Sequence, residues 1–103
     1  MFQKRQKADI NEGYASYQQH PGAYLIDVRE SEEFAEGHLP GAVNVPLSEL
    51  EKIRNVVLDE HSLVYLYCRS GVRAEKARRE MNAAGYDNVY AIGGVLDYRG
   101  QLV

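Results

Sequence analysis

Short, wholly apolar runs alternate along the chain with stretches in which apolar residues recur at helical spacing. From 63 to 67 the run Leu-Val-Tyr-Leu-Tyr is apolar or aromatic at every position, which reads as a strand covered on both faces and therefore central in a sheet. Ala23 to Val28 and Asn88 to Ile92 read as further strands, and Ala42 to Val45 as a short one stopped by Pro46. Helical patterns lie between them. Asn11 is the expected cap of a helix through about Gln19, with Tyr14 and Tyr17 on one face, and Ser31 is the expected cap of a turn closing at Gly37. Ser48 with Glu51 three positions on resembles a capping box, and Val72 to Ala84 carries Ala74, Ala77, Met81 and Ala84 ahead of a stop at Gly85. Strands alternating with helices over short connections predict an α/β fold, a parallel sheet with helices on both faces. Ligands of such sheets lie at the carboxyl ends of the strands. Cys68, directly after the central strand and directly before a helix, is therefore the site candidate.

Composition narrows the options. The 103 residues suit one small domain, taken as 1–103, with a single core. A net charge of −3 gives no bulk reason to expect nucleic acid or an anionic membrane as partner. No apolar run reaches the ~18 residues of a membrane span, and no apolar segment follows the basic N-terminus as it would in a signal peptide. The single cysteine excludes an intrachain disulfide and a Cys₂His₂ or Cys₄ zinc site. A cytoplasmic location fits a lone thiol, and neither metal nor cofactor is expected. The thiol works by itself or with an external partner.

The loop Cys68-Arg69-Ser70-Gly71-Val72-Arg73 surrounds that thiol with specific chemistry. A short loop entering a helix points backbone N–H groups inward, and the helix dipole adds partial positive charge at the same place. Arg69 and Arg73 add full charges, and Gly71 permits tight backbone curvature. All of these favour thiolate over thiol, and a thiolate at a cationic mouth attracts a small anionic electrophile. A free cysteine is more commonly just a small buried hydrophobe. Here Arg-Ser-Gly-Val-Arg follows it, and burying two guanidinium groups behind a core thiol would be expensive. Cysteine phosphatases carry C-x₅-R, a loop sized for a phosphoryl group. This chain has C-x₄-R, with Ala74 where a phosphatase arginine would fall, so persulfide chemistry is favoured.

At these residues the sequence resembles the rhodanese family of sulfurtransferases, and the resemblance covers nearly the whole chain. CRSGVRAEKA (68–77) is similar to the family's active-site loop and following helix. LIDVRESEEFAEGHLPGAVNVPLSEL (25–50) is similar to its upstream signature, and Gly93-Gly94 with residues 100–103 to its closing segment. The resemblance implies a rhodanese-like three-layer fold, a five-stranded parallel sheet flanked by helices, with the first strand in FQKRQKADI (2–10). It also implies an enzyme moving sulfane sulfur from a small anionic donor such as thiosulfate, through a Cys68 persulfide, to cyanide or a thiol. By the same resemblance the amides of Arg69, Ser70, Gly71, Val72 and Arg73 cradle the transferred sulfur, and Arg69 and Arg73 orient the donor and the departing sulfite. Two alternatives stay open: a persulfide relay module serving a partner protein, and a small cysteine phosphatase or arsenate reductase, against which C-x₄-R argues. The family commonly has Trp where this chain has Tyr98, read as a packing exchange.

Asp27 and Arg29 end their strand, where they either support the site or form an ion-pair network to the next helix through Glu33; the network is favoured. His38, beside a turn, is read as satisfying backbone groups rather than as a general acid, because an ionised cysteine needs no base. Tyr14, Tyr17, Tyr24, Tyr65, Tyr67 and Tyr90 fall on strand or helix patterns and are read as core rather than as nucleic-acid stacking surfaces. Lys76, Arg78 and Arg79 with Glu75 and Glu80 read as a solvated mixed-charge helix face.

Overall fold

The computed structural model describes residues 8–103. In chain order these form α1 (Ile10–Gln18), β1 (Tyr24–Asp27), α2 (Ser31–Glu36), β2 (Val43–Asn44), a 3₁₀ segment (Leu47–Asn55), β3 (Val64–Cys68), α3 (Val72–Ala83), β4 (Val89–Gly94) and a 3₁₀ turn (Val95–Asp97). The strands make one parallel sheet in the order β2-β1-β3-β4. Four strands are present among the described residues where five were expected; the remaining one was placed in 2–10, and 2–7 lie outside the described residues. Ala8 and Asp9 lead straight into α1.

The central strand explains the layering. Alternate residues of a strand point to opposite faces. Val64, Leu66 and Cys68 accordingly join a core with Ala74, Ala77 and Met81 of α3 and Leu50, Ile53 and Val57 of the 3₁₀ region. Tyr65 and Tyr67 join a second core with Ile10 and Tyr14 of α1, Leu25, Leu39 and Ile92. All five β3 residues are buried, as a strand covered on both faces requires. Its burial aims Cys68 at the carboxyl edge of the sheet.

Several boundaries depart from expectation for identifiable reasons. Asp9, not Asn11, caps α1, accepting from the Asn11 N–H at 2.9 Å. The Asn11 amide instead holds the C-terminal segment, donating to the Asp97 carbonyl at 2.9 Å and accepting from the Arg99 N–H at 2.9 Å. Glu30 rather than Ser31 caps α2, in a capping box with Glu33. Ser48 begins no capping box: its hydroxyl goes to Glu30, and 47–55 is 3₁₀ with a break at Glu49. Tyr90, read as core, is exposed on β4, whereas Tyr86 is fully buried and donates to the Val57 carbonyl at 2.6 Å.

Candidate active site

Cys68 is the last residue of β3, and the loop after it turns sharply into α3. Gly71, the N-cap of α3, has φ 107°, the left-handed region that only glycine enters cheaply. Having no side chain, Gly71 leaves the helix start without a cap, and Cys68 supplies one. Its Sγ accepts from the Gly71 N–H at 3.0 Å and from the Ala74 N–H at 3.4 Å. The helix's unsatisfied first-turn donors thus converge on the sulfur. The thiol itself is fully buried beneath that loop.

The loop is braced from behind by β4. The register between β3 and β4 is regular through Leu66↔Ala91 and then shifts, so that Gly94 lies beside Cys68. A Cβ on Gly94 would stand 2.1 Å from the Arg69 carbonyl oxygen, a contact only glycine allows. The Leu96 N–H donates to that same carbonyl at 3.1 Å. Sequence reading placed Gly93-Gly94 in a closing segment without assigning this bracing, because nothing local marks a contact about 25 residues distant along the chain.

Of the predicted loop residues, Arg69 and Ser70 are exposed, Gly71 and Arg73 partly buried, and the Val72 side chain points to solvent at 76% exposure. Arg73 is held by Glu33 of α2 in a two-pronged pair, Nη1 to Oε1 at 2.7 Å and Nη2 to Oε2 at 3.0 Å. The hydrogen bond from Arg73 holds the Glu33 carboxyl down at about 2, and Glu33 in turn raises the Arg73 guanidinium above its ordinary value. Glu33 was expected to tie Arg29 to α2; it pairs with Arg73 instead.

Asp27 and Arg29 form their own buried pair. The Arg29 Nε donates to both Asp27 oxygens at 3.0 Å, and its Nη2 to Oδ2 and to the Gly37 carbonyl, each at 2.7 Å. Burial works against the Arg29 charge, and the Asp27 contact more than offsets it, raising its pKa. Arg29 lies over the Tyr67 ring at 5.8 Å, on the α1 side of the sheet, whereas Cys68 belongs to the α3 side. The Asn44 amide donates to the Asp27 and Arg29 carbonyls at 2.9 Å each. This pair therefore secures the ends of β1 and α2 rather than touching the sulfur. His38 donates from Nδ1 to the Phe34 carbonyl at 2.9 Å and stacks on the Phe34 ring. Tyr98 packs edge-on against Tyr14, in the α1 core.

The class is a parallel α/β sheet whose central strand ends in a cysteine that caps the following helix. The Rhodanese-like domain model matches residues 8–100, and the chain belongs to that family. YrkF of Bacillus subtilis (strain 168) is 41% identical over 78 residues, which are 75% of this chain but only 42% of YrkF. The thiosulfate sulfurtransferase PspE of Escherichia coli (strain K12) is 37% identical over 75 residues, 72% of each chain. Among solved structures, a rhodanese with anions from E. coli superposes with a TM-score of 0.73 at 34% identity, covering 79% of this chain and 96% of that one. Among the described residues no helix is long and apolar enough to cross a membrane.

Proposed function

We propose that this chain, acting as one domain, is a thiosulfate sulfurtransferase-like enzyme with Cys68 as nucleophile and sulfur carrier. The observation that carries the reading is the convergence of the Gly71 and Ala74 N–H groups on Cys68 Sγ; the similarity to the thiosulfate sulfurtransferase PspE supports the choice of donor. In the first half-reaction the Cys68 thiolate bonds to the outer sulfur of thiosulfate. The donor S–S bond breaks, and sulfite leaves with the bonding pair. In the second, cyanide or a thiolate attacks the outer sulfur of the Cys68 persulfide. That S–S bond breaks and the Cys68 thiolate returns. The amides of residues 69–73 hold negative charge on the transferred sulfur, as converging N–H donors do for developing anions. Arg69 draws in the anionic donor, and Arg73 fixes the first turn of α3. A reducing, cytoplasmic setting suits a lone thiol cycling through a persulfide.

Incubation with thiosulfate is expected to add about 32 Da, one sulfur atom, to the intact mass, removable by cyanide. Cys68→Ser is expected to show neither the gain nor thiocyanate formation. A Cys68→Ser protein that still forms thiocyanate sinks the assignment. A second reading, delivery of the same sulfur to a partner protein, is favoured by Val72 and Leu96, 76% and 60% exposed beside the loop. It predicts that Val72→Ser slows transfer to a protein acceptor while leaving transfer to cyanide intact.

A further inference from the structure

Two arginines enter the Cys68 loop, and their surroundings differ. Both terminal nitrogens of Arg73 lie on the Glu33 carboxylate, at 2.7 and 3.0 Å. Glu33 is itself fixed, because Oε1 also accepts the Glu30 N–H at 2.9 Å within the α2 capping box. Arg69 is exposed, and no side chain among the described residues pairs with it. Arg29, at the end of β1, is neutralised by Asp27. Among the described residues, Arg73 and Arg29 thus carry their own counter-charge, and Arg69 does not.

We propose that Glu33 is a specificity-determining residue of the Cys68 site: by engaging Arg73 it leaves Arg69 as the free guanidinium at the mouth, so that the second negative charge of a dianion gains little there. This rests on the Cys68 mouth being the sulfur-transfer site. Arg73 keeps N–H groups able to donate, so it still orients a ligand, but its charge is spent on Glu33. Thiosulfate still loads the sulfur, but its second negative charge adds little to capture while Glu33 holds Arg73. Glu33 acts through Arg73 and is a positioning residue rather than a catalytic one.

The test uses inert anions of matched shape, so that it reads charge without sulfur transfer. Sulfate and methanesulfonate are titrated at fixed ionic strength into the ¹⁵N-labelled full chain, following the Gly71 and Ala74 amide shifts. In the wild type the two dissociation constants are expected to lie within about threefold of each other. Glu33→Gln, whose amide oxygen can still accept the Glu30 N–H, is expected to tighten sulfate about tenfold and methanesulfonate about threefold. A wild-type preference for sulfate of about tenfold or more overturns the proposal without recourse to any variant. So does a Glu33→Gln protein whose preference widens less than about twofold, or the absence of shifts with either anion. Loss of the transfer reading would show separately, as no mass gain with thiosulfate.

Discussion

At the scale of single residues the sulfur has a structural job beside its proposed chemical one. Cys68 Sγ is the cap acceptor for α3 because Gly71, required for the turn, has no side chain to offer. The placement of the cysteine and its proposed role therefore rest on one local geometry. Glu33 shows how much of such a site is hidden from sequence. Both Glu33 and Arg73 are plain in the chain, but they lie 40 positions apart, and the nearer Arg29 was the natural partner to expect. Arg29 was already committed to Asp27, two residues away, by a turn that only the folded backbone displays. The Glu33–Arg73 pair makes a pH prediction. The folded carboxyl titrates at about 2 against an ordinary 4.5, so between those values the unfolded chain binds more protons. The pair's contribution is present above pH 4.5 and is lost as pH falls toward 2. Urea midpoints measured across that window are expected to fall more steeply for the wild type than for Glu33→Gln. Parallel curves would count against the pair as the cause.

At the scale of elements, the strand-to-helix unit β3-loop-α3 was legible because it is written in strong local signals: five apolar positions, then Gly71 and a regular alanine stripe. The 3₁₀ segment at 47–55 was not. Its apolar residues Leu50 and Ile53 sit at helical spacing, but Glu49 leaves helical geometry and Ser48 is drawn away to Glu30. Likewise Asn11 has the chemistry of a cap, but Asp9 precedes it and Asn11 has the C-terminal segment to hold. Tertiary contacts in both places override a correct local propensity. The bracing of the loop by β4 is an element-level property with a sharp consequence. Gly94→Ala would set a Cβ against the Arg69 carbonyl oxygen, a backbone atom that cannot swing aside. The loop must then move, at a cost of about 1–3 kcal/mol as in other overpacked sites. Sulfur loading of the folded variant by thiosulfate is expected to drop about tenfold or more, since small misplacements at a reacting centre are costly. Mass spectrometry of loading together with urea unfolding separates the two effects. A variant that loads at the wild-type rate would show that the brace does not set the cradle.

At the scale of the whole molecule, the sheet is a partition. Its α3 face carries Cys68, and its α1 face carries the Asp27–Arg29 pair against Tyr67. The two polar features end neighbouring strands, since Asp27 is in register with Tyr67, yet they lie on opposite sides. Asp27 and Arg29, about 40 positions before Cys68 in the chain, are therefore proposed to serve the frame on which the site is built. Asp27 is fully buried and Arg29 is 6% exposed, so removing one partner strands the other charge away from water. Breaking such a pair costs about 3–5 kcal/mol. A domain of this size has a total stability of about 5–15 kcal/mol, so the loss is a large share of the whole. Asp27→Asn is therefore expected to lower unfolding stability by about 3–5 kcal/mol, read by urea titration of tyrosine fluorescence in a chain without tryptophan. Its sulfur loading, corrected for the folded fraction, is expected to stay near that of the wild type. A stable Asp27→Asn protein that no longer loads sulfur would place this pair in the chemistry instead of the frame.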